Sequence, residues 1–278
     1  MLKLRIITAL VLGPLVIWSV LGLSHQFLAY ELAAILCIGA WEWARLAGIT
    51  HQLGRIGFAL FVAGLLWLLA YFLHQDISIL NPVLYFAGGF WLFALFSIVY
   101  FNRSPVTTVT NLSVSARVIT LLVGACLLLS AFVALTALHR SYGANYVLVL
   151  LVLIWIADSG AYFAGKAFGK HKLAMNVSPG KTWEGVAGAI VGTVIAGYLI
   201  SLLLNIESAN IIYFILVAVV TVALSIVGDL IESLFKRRSG VKDSSQILPG
   251  HGGILDRIDS LIAAAPIFLL GLISMGSQ

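Results

Sequence analysis

Nine long apolar segments separated by short polar breaks run through this sequence, at residues 4–23, 27–47, 56–73, 80–100, 118–138, 145–165, 184–204, 210–232 and 256–274. About 20 apolar residues form a helix that crosses the roughly 30 Å of membrane hydrocarbon. Hydrophobic residues make up 61% of the chain and charged residues 10%, against about 45–50% and about 25% in soluble domains. A soluble globular enzyme is therefore excluded. The sequence predicts an all-α polytopic membrane protein with about nine transmembrane helices, in a single integral-membrane domain, 1–278.

The distribution of basic residues predicts the orientation in the membrane. A cytoplasmic N-terminus and an outside C-terminus place every Lys and Arg except Arg140 at the cytoplasmic face, where basic residues are enriched in membrane proteins. The net charge of +5 is then explained by cytoplasmic loops, and no nucleic-acid partner is predicted. Cys37 and Cys126 lie in apolar runs without further ligands at zinc-binding spacing, and are interpreted as core residues.

Acidic residues are concentrated in the second half of the chain. Of the 11 Asp and Glu residues, those at or after residue 158 are Asp158, Glu184, Glu207, Asp229, Glu232, Asp243, Asp256 and Asp259. Charges within a membrane cost about 2.5–3.5 kcal/mol at a helix centre and therefore mark functional sites. Residues 1–140 are predicted to be mainly scaffold spans, and residues 145–274 to carry the candidate site.

Four of these acids, from three helices, are predicted to meet near the cytoplasmic surface. At about 1.5 Å per residue, Asp158 and Asp229 lie near the cytoplasmic ends of the sixth and eighth spans. Asp256 and Asp259 begin the ninth span from the same side, and their i, i+3 spacing puts both on one helix face. The alternative is that these acids only form interfacial ion pairs with neighbouring basic residues.

The polar loop between the eighth and ninth spans is suited to binding anions. Its basic residues at 236–238 and Lys242 supply positive charge, and residues 249–253 offer backbone amides at a helix N-terminus, which is a natural phosphate site. Mg²⁺ is usually held by one or two carboxylates together with substrate phosphates. The combination indicates phosphoryl chemistry at the membrane surface.

Two further polar patterns lie outside that loop. Asp158, Tyr162 and Lys166 are four residues apart and form one stripe on the sixth helix, while Ser178–Pro179 is predicted to be the N-cap and N1 pair of the seventh helix, directing Lys181 toward the site.

Nearer the N-terminus, Glu42 and Arg45 are predicted to form an i, i+3 ion pair between interfacial tryptophans rather than a site.

Residues 233–259 resemble the signature of the phosphatidate cytidylyltransferases, also called CDP-diacylglycerol synthases; their sequence is SLFKRRSGVKDSSQILPGHGGILDRID. The expected positions of that signature are occupied by Ser233, Lys236, Arg237, Lys242, Asp243, Pro249, His251, Gly252, Gly253, Asp256, Arg257 and Asp259. The upstream segments ADSGAYFAGK and SPGKTWEG are also similar to the family, in which Met175 and Ser159 of this chain are often replaced by Pro and Thr.

The resemblance implies that CTP and phosphatidate are converted to CDP-diacylglycerol and pyrophosphate for phospholipid biosynthesis, by Mg²⁺-dependent attack of the lipid phosphate on the α-phosphorus of CTP. Asp229 and Asp256 are predicted to bind Mg²⁺, alone or with a second cation, and Asp259 to support the metal or orient Arg257. The predicted catalytic residues are Asp229, Lys242, Asp256 and Asp259. The predicted substrate-binding residues are Asp158, Lys181, Ser233, Lys236, Arg237, His251, Gly252, Gly253 and Arg257, with residues 251–253 cradling a phosphate.

The partners implied are CTP, phosphatidate in the inner leaflet and other membrane lipids, with a homodimer as one allowed assembly. The predicted location is a bacterial-type inner membrane, with the site facing the cytoplasm. Two alternatives stay open. A CTP-dependent lipid kinase would need a general base for its alcohol nucleophile, and an anionic-solute transporter would place its site near the bilayer midplane.

Overall fold

The structure, a computed structural model, describes residues 2–75, 79–101 and 112–276, and over these ranges it consists of nine α-helices and one β-hairpin. The first four helices, α1 to α4, are Leu2–Gly22, His25–Leu46, Gln52–Gln75 and Leu80–Phe101. Next come α5, α6 and the strands β1 and β2, which are Val114–Tyr142, Ala144–Phe168, Lys172–Ala174 and Ser178–Thr182. The last helices, α7 to α9, are Trp183–Leu203, Ile211–Arg238 and Leu255–Gly276, with a 3₁₀ turn at Ser208–Asn210.

The nine predicted spans correspond in order to the nine helices of the described residues. Of these, α2 to α9 are long and apolar enough to cross a membrane, and α1 contributes a shorter apolar stretch, Leu10–Gly22. The predicted all-α polytopic membrane fold is confirmed. Helix α5 extends beyond the predicted span at both ends, and α8 continues to Arg238. Arg103, one of the basic residues used to predict the orientation, lies outside the described residues.

The chain forms two compact units. Unit 1 comprises Met1–Val83, Thr107–Leu148 and Phe235–Asp259, and unit 2 comprises Leu84–Val106, Val149–Leu234 and Ser260–Gln278. The boundaries at 234/235 and 259/260 fall inside helices, so that the last turn of α8 and the first turn of α9 belong to unit 1.

In unit 1, α2 packs against α3 and α5, and Trp43 is central to this packing. Its indole N–H donates to the Thr120 carbonyl at 2.7 Å, and its ring centroid lies 4.9 Å from that of Phe235. A Cβ at Gly124 on α5 would overlap the Trp43 ring, so that glycine is needed for this close approach. These contacts fix α2 against α5 and the end of α8.

In unit 2, α6 and α7 approach closely enough for their backbones to touch. A Cβ at Gly160 would lie 2.7 Å from the Gly188 carbonyl oxygen, and a Cβ at Gly188 would lie 2.6 Å from that of Gly160. Small residues allow such approaches between membrane helices, whose association relies on close packing. The glycines therefore hold α6 beside α7.

The strands β1 and β2 form an antiparallel hairpin between α6 and α7, in which Lys172 pairs with Thr182. The predicted N-cap role of Ser178–Pro179 is wrong, because these residues form part of β2. Thr182 caps α7 instead, since its hydroxyl accepts from the N–H of Gly185 at 3.1 Å. Because these residues pair as a strand, α7 begins later in the sequence than the Ser-Pro pattern predicted.

Candidate active site

The signature segment 233–259 consists of the end of α8, a loop at 239–254, here called the site loop, and the start of α9. Lys236 and Arg237 lie on the last turn of α8, not in the loop where the sequence placed them. In the site loop, Gly252 has a φ of 83°, and its carbonyl accepts from the N–H of Leu248 at 2.9 Å. The N–H of His251 donates to the Leu248 carbonyl, also at 2.9 Å. The site loop therefore contains a tight, internally bonded turn.

Asp256, on the first turn of α9, is the centre of a hydrogen-bond cluster. Its Oδ1 lies 2.6 Å from the Lys236 Nζ, and the two side chains are only 6% and 12% exposed. Its Oδ2 accepts from the backbone N–H groups of Ser244 at 2.9 Å and Gly253 at 2.8 Å, and it lies 2.9 Å from the Ser244 hydroxyl, whose single proton it shares with Glu42. The carboxylate thus ties together the end of α8, the site loop and α9.

Glu42 on α2 is fully buried against the same loop, and the predicted ion pair with Arg45 is wrong. The Glu42 carboxylate accepts hydrogen bonds from the hydroxyls of Ser244 and Ser245. It also accepts from the backbone N–H groups of residues 254 and 255, at 3.0 and 2.6 Å. Arg45 donates instead to the Ser244 carbonyl at 3.3 Å. Glu42 therefore belongs to the site region, which the sequence did not indicate.

The glycines at 252 and 253 are required by these carboxylates. A Cβ at Gly253 would overlap the Ser244 hydroxyl and lie 2.5 Å from a carboxylate oxygen of Glu42. A Cβ at Gly252 would lie 2.7 Å from the Asp256 Oδ2. The N–H of Gly253, one of the amides predicted to cradle a phosphate, is donated to Asp256. These glycines thus allow the loop to close around two carboxylates.

The site loop and the start of α9 line a cavity of about 670 Å³. Its lining includes the basic side chains of Lys242, His251 and Arg257 together with Asp243. The Arg257 Nε donates to the His251 carbonyl at 3.2 Å. Ligand cavities usually measure about 300–1,000 Å³. The cavity, here called the basic cavity, therefore has the size and the positive groups to bind a polyanion, and it brings four predicted site residues together, since Gly252 also lines it.

A second group of predicted site residues meets in unit 2. The Lys181 Nζ lies 2.7 Å from the Asp229 Oδ2, with side chains 24% and 34% exposed. Lys181 also donates to the Ile226 carbonyl at 3.3 Å, and the Ser233 hydroxyl donates to the Asp229 Oδ1 at 3.2 Å. One turn along α8, Glu232 has a carboxylate oxygen within 4.8 Å of one from Asp229. The hairpin thus brings a cation to the acidic face of α8.

Lys181 also lines a cavity of about 390 Å³, which is contained in unit 2. Asp158, Tyr162 and Lys166 line the same cavity, which confirms that the predicted stripe occupies one face of α6. The Lys166 Nζ lies 5.7 Å from the centroid of the Tyr162 ring, within the usual reach of a cation–π contact. Asp158 and Lys181 are therefore brought to one cavity.

Comparison with known sequences decides the family. A family model described as the cytidylyltransferase family matches residues 3–274, which is nearly the whole chain. This chain belongs to the cytidylyltransferase family. It is therefore a nucleotidyltransferase, and the resemblance seen in residues 233–259 is confirmed.

Among the relatives of this cytidylyltransferase are phosphatidate cytidylyltransferases from several bacteria. That of Pseudomonas aeruginosa is 44% identical and aligns over 96% of both chains. That of Haemophilus influenzae is 37% identical over 96% of this chain and 97% of its own. The Thermotoga maritima enzyme is 34% identical over 96% of this chain and 94% of its own.

Each unit of this cytidylyltransferase carries part of the predicted site. Unit 2 holds Asp158, Lys181, Asp229 and Ser233. Unit 1 holds Lys236, Arg237, Lys242, His251, Gly252, Gly253, Asp256, Arg257 and Asp259. Within unit 1, Arg237 is exposed on α8, and Asp259 is half-buried one turn after Asp256.

Proposed function

We propose that this cytidylyltransferase transfers the cytidylyl group of CTP to phosphatidate, giving CDP-diacylglycerol and pyrophosphate. The observation that carries the proposal is the basic cavity formed by the signature segment. It occurs in a chain that is 44% identical, over 96% of its length, to a phosphatidate cytidylyltransferase. A cavity lined by cations suits a reaction in which both substrates are phosphate esters.

The reaction joins two polyanions. An oxygen of the phosphatidate phosphate forms a bond to the α-phosphorus of CTP, and the bond from that phosphorus to the α–β bridging oxygen breaks. Pyrophosphate leaves with the bridging oxygen. Since the attacking phosphate is already anionic, a general base is not needed. Positioning and charge neutralisation supply most of the catalysis in such transfers.

The residues of the basic cavity are proposed to bind phosphate groups. Lys242, His251 and Arg257 face this cavity, and Arg237 adds exposed positive charge at the end of α8. Lys236 is paired with Asp256, and this buried ion pair stabilises the site loop. This arrangement supports charge neutralisation by side chains more than by the loop amides.

The residues of unit 2 are proposed to complete substrate binding. Lys181 and Ser233 both contact Asp229, and Lys181 shares a cavity with Asp158. A lysine that is a quarter exposed beside a carboxylate can exchange that partner for a phosphate group.

Mg²⁺, alone or with a second cation, fits the acids of α8. Carboxylate oxygens of Asp229 and Glu232 lie within 4.8 Å of each other, and Asp229 is 34% exposed, so hard oxygen ligands of the kind that Mg²⁺ prefers are accessible. Asp229 and Asp256, on α8 and α9, are each proposed as a ligand of Mg²⁺. Asp259 would support the metal or orient Arg257. When bound, Mg²⁺ supplies positive charge against the triphosphate.

The site is further proposed to face the cytoplasm at the inner leaflet of a bacterial inner membrane. The relatives are bacterial, and helices of this chain are long and apolar enough to cross a membrane. At that interface the phosphatidate headgroup meets CTP from the cytoplasm while the acyl chains stay in the bilayer.

The proposal is tested with purified protein in mixed detergent–phosphatidate micelles containing CTP and Mg²⁺. We expect CDP-lipid and pyrophosphate in equal amounts, loss of turnover in Asp256→Asn, and normal turnover in Glu207→Gln, an acid-to-amide control before the 3₁₀ turn. Size-exclusion profiles check that each variant is folded. Formation of CDP with a newly phosphorylated lipid would show a kinase instead. Turnover that persists after EDTA treatment would overturn the role of Mg²⁺.

A further inference from the structure

Glu42 lies far from the signature segment in sequence but holds that segment from inside the protein. It is 0% exposed, and every hydrogen bond described for its carboxylate comes from residues 244–255. Burial of a carboxylate is costly unless it is fully hydrogen-bonded. Three donors of its own, and the Ser244 hydroxyl that it shares with Asp256, meet that requirement.

Two of these donors are the backbone N–H groups of Ile254 and Leu255, where α9 begins. The first N–H groups of a helix have no partner within the helix, and a carboxylate there is further favoured by the helix dipole. Glu42 therefore caps α9 from a different helix, across 213 positions in sequence. The cap fixes the place where α9 starts, one residue before Asp256.

A third donor, the Ser244 hydroxyl, lies within hydrogen-bond distance of both Glu42 and Asp256. The Ser244 hydroxyl oxygen lies 3.0 Å from the Glu42 Oε2 and 2.9 Å from the Asp256 Oδ2. The backbone N–H of Ser244 also donates to Asp256. Ser244 is thus held between the two carboxylates, and a shift of Glu42 moves the residue that binds Asp256.

We propose that Glu42 is a positioning residue of the active site. Its proposed role is to act through the residues that its carboxylate binds, at 244–255. It sets the start of α9 and the closed form of the site loop, so that Asp256 and the cations of the basic cavity keep their spacing. The effect on turnover rests on the proposed function, whereas the effect on the loop does not.

The test compares Glu42→Gln with Glu31→Gln, a matched control on the same helix whose described hydrogen bond is a single one from Ser19. Glutamine keeps the volume of Glu42 but has one acceptor oxygen where the carboxylate has two. A displacement of about 1 Å at a reacting group can lower turnover by about 100-fold. We expect a loss of that order in kcat for Glu42→Gln, with little change in KM for CTP, and partial recovery in Glu42→Asp.

Hydrogen–deuterium exchange supplies a readout that does not depend on turnover. In folded Glu42→Gln protein, the amides of residues 244–256 should exchange faster than in wild type, while those of α5 stay unchanged. A purely structural role would lower the yield and the melting temperature but leave kcat per folded molecule as in wild type. That result, or unchanged exchange in the loop, would overturn the proposal.

Ser244→Ala covers the case in which Glu42→Gln fails to fold. Removing the hydroxyl cuts the link between the two carboxylates without burying a new polar group. We expect faster exchange at residues 253–256 and a lower kcat, and wild-type values for both would contradict the positioning role. If the wild type forms no CDP-lipid, the proposed function fails, and the exchange experiment still decides the role of Glu42.

Discussion

Two lysine–aspartate pairs, one in each unit, have nearly the same length but different surroundings. Lys236 and Asp256 are 2.6 Å apart and almost completely buried, whereas Lys181 and Asp229 are 2.7 Å apart and a quarter to a third exposed. The Asp256 carboxylate also accepts from two backbone N–H groups of the site loop and shares the Ser244 hydroxyl with Glu42. Distance alone therefore does not tell what an ion pair does.

The two pairs differ in how costly it is to separate the lysine from the aspartate. Breaking a buried pair leaves an uncompensated charge inside the protein, which is strongly destabilising. An exposed pair contributes little to stability because water and salt compete with it. The buried pair is thus suited to hold the loop, and the exposed pair to open toward a phosphate or a metal.

The largest effect on stability is expected from Lys236→Met, which tests whether the buried pair differs from the exposed one. It leaves Asp256 buried without its cation, so we expect the free energy of unfolding to fall by about 3–5 kcal/mol. Denaturant unfolding of the detergent-solubilised protein measures the change. Lys236→Met combined with Asp256→Leu should recover part of it, since no unpaired charge is left. A loss below about 1 kcal/mol would place this pair with exposed ones.

A smaller effect is expected from Gly253→Ala, which acts on the loop around the buried pair. The new methyl group must displace Ser244 or Glu42, and overpacking of this kind costs about 1–3 kcal/mol. Gly64→Ala on α3 is the control, because a Cβ there meets nothing within 4 Å. Equal melting temperatures for the two variants would show that the loop is not closed around the carboxylates.

The smallest change in stability is expected from Lys181→Met in the exposed pair. The free energy of unfolding should change by less than about 1 kcal/mol. CDP-lipid formation should nevertheless fall by about 100-fold or more, as when a charge-stabilising donor is removed from other active sites. Unfolding and turnover are measured on the same preparation. A loss of stability as large as that of Lys236→Met would remove the distinction between the pairs.

The fold was predictable because each membrane span is a local property of the sequence. About twenty apolar residues identify a helix wherever its partners lie, and the order of the helices along the chain follows from that. Helix ends were less predictable. Helix α5 continues through Arg117 and Arg140, near its two ends, and α8 through the basic residues at 236–238. A span chosen by hydropathy ends before such charged residues, although cations are favoured at a helix C-terminus.

The site was predictable in its residues but not in their partners. The signature named Lys236, Asp256 and Gly253, but their mutual contacts depend on how the loop folds back. Glu42 lies 202 positions from Ser244, and between two tryptophans it looked like an interfacial residue. An acid inside an otherwise apolar span was the available signal, because such a group needs buried donors. The predicted catalytic, metal-binding and substrate-binding roles stay predictions.

The contact between α6 and α7 has a mechanical consequence. Where Gly160 and Gly188 meet, the side chain nearest to Gly188 is the methyl group of Ala164, which has no rotamers with which to absorb a displacement. Sliding or spreading would bring carbonyl groups into collision or open a gap too thin for a lipid tail. We therefore expect α6 and α7 to move together, so that Asp158 on α6 keeps a constant distance from Thr182, which caps α7.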